Sequence, residues 1–195
     1  LLDRTRPGPL QDRPALAREA AYDRAGDALS SPRARLLMLD LMEWIAGDDW
    51  LDRASGKVDG SQPARAFAST ALGRFRRKVK KGGRELADAD DQARHEVRKD
   101  AKKLRYAAEF FASLFERKGE RRRYKRFVAA LEAFQDRLGA LNDLATAPDV
   151  LKELGVADDP DAARLLARGQ KKSLIKRADE ARKDLFDTKR FWSAI

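Results

Sequence analysis

Apolar residues recur along this chain at intervals of three and four, the spacing of helices that each bury one side. From Pro14 to Leu29 the period runs through Leu16, Ala20, Ala21 and Ala28, and it breaks at Ser30-Ser31-Pro32. Ser31 then suits an N-cap, with Pro32 at the first helical position. The helix it opens passes through Leu36, Leu37, Leu39, Leu41, Trp44 and Ile45 to Gly47. So dense a run of large apolar side chains predicts a helix that is mostly core. Residues 48–62, rich in Gly, Asp and Ser, read as a loop.

Pro63 opens a third helix that ends at Gly82-Gly83, with Ala68, Leu72, Phe75 and Val79 on its apolar side. After a short connection, a fourth is expected from about Asp91 to Arg117. Val97, Ala101, Leu104, Ala108 and Phe111 form its core side, and Phe110, Phe111, Leu114 and Phe115 are expected to supply aromatic core. So short a connection makes the third and fourth helices antiparallel neighbours. Lys118-Gly119 separates them from a fifth helix, about Glu120 to Asn142, carrying Leu131, Phe134, Leu138 and Leu141. Gly139 inside it costs about 1 kcal/mol relative to alanine, which predicts close packing of another helix there. Pro148 is expected to start a short helix to Leu154-Gly155, and Asp159-Pro160 a long final one to about Asp187. Phe191-Trp192 then either tucks against the bundle or ends in a loose tail.

Composition supports an all-α class, because Leu, Ala, Arg, Lys, Asp and Glu dominate while strand-favouring residues are scarce. The chain has 195 residues, no cysteine and one histidine. Disulfides, thiolate nucleophiles and multi-histidine metal sites are therefore excluded. No apolar run approaches the ~18 residues of a membrane span, so a cytoplasmic chain with no membrane partner is expected. Neither a metal nor a cofactor is expected.

The charge is unevenly placed. Net charge is +10, yet residues 74–126 hold 20 Lys and Arg against 9 Asp and Glu, and everything outside that window balances to −1. Two basic rows account for much of the surplus. On the third helix Arg74, Arg77, Lys78 and Lys81 share a side at helical spacing. On the fourth, Arg98, Lys99, Lys102 and Tyr106 all lie within about 60° of His95, with Arg105 just outside, opposite the apolar residues. Like charges at such spacing repel by a few tenths of a kcal/mol per pair, so a polyanion across the row would relieve them. Two adjacent basic helices would line one groove. A third cluster, Arg121 to Arg126, opens the fifth helix against its macrodipole, and either solvent screens it or an anion docks there.

His95-x-x-Arg98-x-x-x-Lys102-x-x-Arg105-Tyr106-Ala-Ala-Glu109, followed by Leu131-x-x-Phe134-Gln135-Asp136-x-Leu138-Gly139-x-Leu141-Asn142-Asp143, resembles the CHAD family of conserved histidine α-helical domains. The resemblance is to the second half of that domain and extends from about Ala20 to Asp143. It implies an antiparallel helical bundle, one half of a two-bundle domain with a long C-terminal helix, and non-catalytic binding of inorganic polyphosphate. The expected layout is one domain over 1–195, with a linker or partial helix over 1–19, the motif region at 63–143 and the C-terminal helix over 156–195. The residues carried onto the anion are Arg74, Arg77, Lys78, Lys81, His95, Arg98, Lys99, Lys102 and Arg105, with Tyr106 and Asp143 behind them. The resemblance also implies a companion, either the first half of the domain or a second copy, and association with polyphosphate granules. RNA or single-stranded DNA is the alternative ligand of the same patch. Against it, such modules set several aromatics within the basic surface, and here Tyr106 and Tyr124 are the evident ones.

Overall fold

A computed structural model of the chain describes residues 9–47, 62–159, 162 and 169–193. Among the described residues all regular structure is helical: α1 (Pro9–Ser30), α2 (Pro32–Ala46), α3 (Ala64–Gly82), α4 (Asp91–Phe110), a 3-10 turn (Ala112–Leu114), α5 (Lys118–Glu153) and α6 (Gly169–Asp187). The expected all-α class is thus observed. The chain divides into two compact units, residues 1–62 with 150–165, and 63–149 with 166–195. The motif region falls entirely in the second.

In the first unit, α1 starts at Pro9, within the segment expected to be a linker or partial helix. Ser31 caps α2 as its sequence requires, its hydroxyl accepting from the Ala34 N–H at 3.2 Å. The expectation of a core helix fails. Leu36, Leu37, Met38, Leu39, Met42 and Ile45 are all more than half exposed. Those positions point to every azimuth of the helix, so one neighbour, α1, cannot cover them. Arg13 of α1 donates to the carbonyls of Leu154 (2.9 Å) and Gly155 (3.2 Å), at a turn where Gly155 holds φ of +64°. The loop expected at 48–62 lies almost wholly outside the described residues.

The second unit holds a continuous core. Leu72, Val79, Val97, Leu104, Leu131, Phe134 and Leu138 of α3, α4 and α5 are at most 3% exposed. Each such side chain contributes about 1.5–3 kcal/mol on burial. Phe191 and Trp192 tuck in, meeting Phe115, Tyr124 and Phe127 edge to face with centroids 5.0–5.8 Å apart. Asp90 caps α4 by accepting from the Ala93 N–H at 2.7 Å. Buried Arg94 fastens the α3–α4 connection by donating to the carbonyls of Leu86 and Ala87. Lys171 of α6 pairs with Asp91 at 2.8 Å, and this hydrogen bond holds the carboxyl below its usual range.

Helix α4 stops at Phe110, short of the expected Arg117, because the chain tightens into the 3-10 turn and the Leu114 carbonyl accepts from Arg65 at 2.6 Å. Helix α5 runs past the expected end at Asn142 and straight through Pro148. Proline removes one helical hydrogen bond there without breaking the rod. Residues 160–161 and 163–168 are outside the described set, and the final helix is seen from Gly169, ending at Asp187 as expected.

The basic start of α5 has an internal counterweight. Glu120, 1% exposed, accepts from the Arg117 N–H at 3.1 Å, closing one side of a capping box. It also pairs with the Arg65 guanidinium, which lies 4.7 Å above the Phe115 ring. Burial opposes the charge on Glu120, but hydrogen bonds from Arg65 and the Arg117 N–H outweigh it and hold the carboxyl below its ordinary value.

Candidate anion-binding site

The apolar side of α4 fixes the direction of its cations. With Val97, Ala101, Leu104 and Ala108 in the core, Arg98, Lys102 and Arg105 emerge together along the border with α5. They line one groove of about 430 Å³, whose other wall is Gln135, Asp136, Gly139, Ala140 and Asp143 of α5. Gln135 anchors that wall by donating to the Ala101 carbonyl at 2.8 Å. Arg98 and Lys102 form no hydrogen bond or ion pair among the described residues. Arg105 has only long contacts, 3.8 Å to Glu109 and 3.9 Å to Glu132, and its Nε is buried without an acceptor. Three cations on successive turns, little neutralised by carboxylates, can accept an extended anion through paired Arg donors and a mobile Lys charge.

The third-helix row does not supply the second wall. Lys78 of α3 pairs with Asp100 of α4 at 2.9 Å. Asp100 and Lys102 are two residues apart, a rotation of about 200°, so α3 flanks the side of α4 turned away from Lys102. Arg74 lies over the Phe75 ring at 5.5 Å, Lys81 is exposed, and Arg77 lines a different cavity. The wall is provided by α5 instead.

His95 faces α5 one turn before Arg98 but does not line the groove. Its Nδ1 lies 2.8 Å from Asn142 Oδ1. An amide oxygen only accepts, so Nδ1 carries the proton of that bond and Nε2 is the nitrogen left for other partners. Lys99 sits outside the groove and pairs with exposed Glu96 at 2.9 Å. Tyr106 is 52% exposed beside the Arg105 guanidinium, whose carbon is 5.3 Å from its ring centre. Asp143 is in the groove rather than behind it and forms no ion pair among the described residues.

Gly139 also departs from expectation. A Cβ built there would meet nothing within 4 Å, so no helix presses on it; the glycine widens the groove. Gln135, Asp136, Gly139 and Ala140 were not expected as lining residues, although Gly139 and Ala140 stand four and three residues before Asp143, and Gln135 and Asp136 four before those, which was the available signal. Among the described residues no group of three or more His, Cys, Asp and Glu could hold a metal ion, and no helix is long and apolar enough to cross a membrane.

No curated protein and no solved structure matches the chain. The family model of the CHAD domain matches residues 3–152, beginning earlier than the resemblance from Ala20 and extending past Asp143. That match takes in α1 to α4 and all but the last residue of α5, the groove included, and the chain belongs to the CHAD family.

Proposed function

We propose that the α4–α5 groove binds inorganic polyphosphate without catalysing a reaction on it. The CHAD domain is associated with polyphosphate binding, and the observation that carries the reading is the convergence of Arg98, Lys102 and Arg105 on one groove. All three cations stand on the α4 wall and both carboxylates, Asp136 and Asp143, on the α5 wall. The anion therefore lies along α4. His95 acts from the groove's end through its bond to Asn142, and when protonated it offers Nε2–H to the polyanion. The same reading places the chain with polyphosphate in the cytoplasm.

Titration with polyphosphates of graded length, with RNA and single-stranded DNA as competitors, tests this. Arg98→Glu and Lys102→Glu are each expected to weaken polyphosphate binding at least about tenfold, the scale of one charge-assisted contact. His95→Ala is expected to weaken it less. Calorimetry in buffers of different ionisation enthalpy then distinguishes contact from positioning, because proton uptake on binding requires His95 to meet the ligand as a cation. Equal affinity for RNA and polyphosphate would overturn the assignment, and so would indifference to both charge reversals. Nucleic acid is the second reading because Tyr106 offers an exposed ring beside Arg105.

A further inference from the structure

The cations of α3 that turn away from α4 meet the end of the chain. Arg77 and Arg190 line one cavity of about 400 Å³, together with Thr70, Gly73, Trp192 and Ser193. Among the described residues no carboxylate is in the lining. Neither guanidinium has a hydrogen bond or ion pair among the described residues, and the hydroxyls of Thr70 and Ser193 have no hydrogen-bond partner there. Ser69 is committed, its hydroxyl near the carbonyls of Arg65 (2.9 Å) and Trp192 (3.2 Å).

Donors outnumber acceptors around the cavity as well. Arg76, next to Arg77, donates Nη2 to the Phe186 carbonyl at 2.9 Å, yet its Nε is buried without an acceptor. Burial and the nearby charge of Arg190 both disfavour its protonated form. Trp192, 4% exposed, has a buried Nε1 with no acceptor. At Gly73 a Cβ would stand 3.6 Å from Arg77 Nη1, so the exposed guanidinium lies back over the glycine. The charge of Arg190 thus already weighs on Arg76, and an entering anion would offset it.

We propose that this cavity is a second anion site, separate from the α4–α5 groove, that takes a compact phosphoryl anion of pyrophosphate size. Two planar guanidiniums offer paired donors to phosphate oxygens, and the Thr70 and Ser193 hydroxyls can each donate one more. The volume is at the small end for ligand sites, which favours a short anion over a long chain. The proposal stands whether or not the groove binds polyphosphate.

The test is titration of the full chain with inorganic pyrophosphate at low salt, following heat and the Trp192 indole N–H resonance, assigned by Trp192→Phe. One pyrophosphate is expected to bind and shift that resonance. Arg77→Gln and Arg190→Gln are each expected to weaken binding about tenfold, and Lys125→Gln, at an exposed cation outside both sites, to change it less than about twofold. Both arginines are exposed, so the glutamine variants should keep the parent circular dichroism. Parallel titrations with orthophosphate, a simple phosphate monoester and sulfate define the ligand. Pyrophosphate binding unchanged by both arginine substitutions overturns the site. Sulfate binding as tightly as pyrophosphate overturns its phosphoryl character.

Discussion

Gly139 is where helix stability and ligand access oppose each other. Alanine there should raise stability by about 0.5–1 kcal/mol, since the helix loses a flexible residue and the new Cβ touches nothing. Phenylalanine should leave the fold intact and lower polyphosphate affinity at least about tenfold by filling the groove, a loss of about 1.4 kcal/mol. Denaturant melts and binding titrations of the two variants check both signs. A glycine within a helix was visible in the sequence. Its meaning was not, because an absent side chain serves a close neighbour or an open space equally well. His95 was legible in the same partial way: its azimuth put it with the cations, but only the fold shows Asn142 occupying its Nδ1.

Acid sensitivity also belongs at this scale. Glu120, Asp91 and Asp179 all have carboxyls held below their unfolded values. For such groups the stabilisation is complete above the unfolded pKa, about 4, and is lost as pH falls through the lower native values. The melting temperature should therefore be nearly flat from pH 7 to about 5 and decline below about 4. Glu120→Gln should reduce stability at neutral pH and shrink the acid decline. An acid limb identical to the parent's would show that Glu120 does not set it.

Among the elements, α2 and α4 contrast most. Leu104 is fully buried, so Leu104→Ala should cost about 2–5 kcal/mol. Leu37, 66% exposed, should tolerate glutamine within about 0.5 kcal/mol despite its apolar surroundings in sequence. Paired denaturation curves test the difference. The sequence signal for α4 was reliable for Val97, Ala101, Leu104 and Ala108, which occupy one side and so specify burial and orientation, whereas Phe110, off that side at the helix end, is 79% exposed rather than core. For α2 the apolar residues occupy all sides, which specifies neither. The helix start at Ser31 followed from capping chemistry, whereas Pro148 misled because a proline inside a long, well-packed helix is costly but survivable. Placing the basic row of α3 beside that of α4 failed for a geometric reason. Periodicity shows which residues share a side of a helix, and Lys78 with Asp100 shows which side meets which neighbour.

For the molecule as a whole, the surplus charge lies within residues 74–126 of the second unit, so salt should weaken anion binding strongly. The division into two units was not legible, because residues 150–165 join the first unit from the far end of the sequence. One consequence concerns how fast the groove fills. Its α5 wall belongs to the same stretch of helix that sends Leu131, Phe134 and Leu138 into the core. Moving the wall means unpacking those side chains, and close-packed interiors resist such movement. The groove is therefore open before its ligand arrives, and encounter alone should limit association. Stopped-flow mixing with a short polyphosphate should show a single phase whose rate rises in proportion to ligand concentration and falls with added salt. A slower phase independent of concentration would mean that the wall swings before it binds.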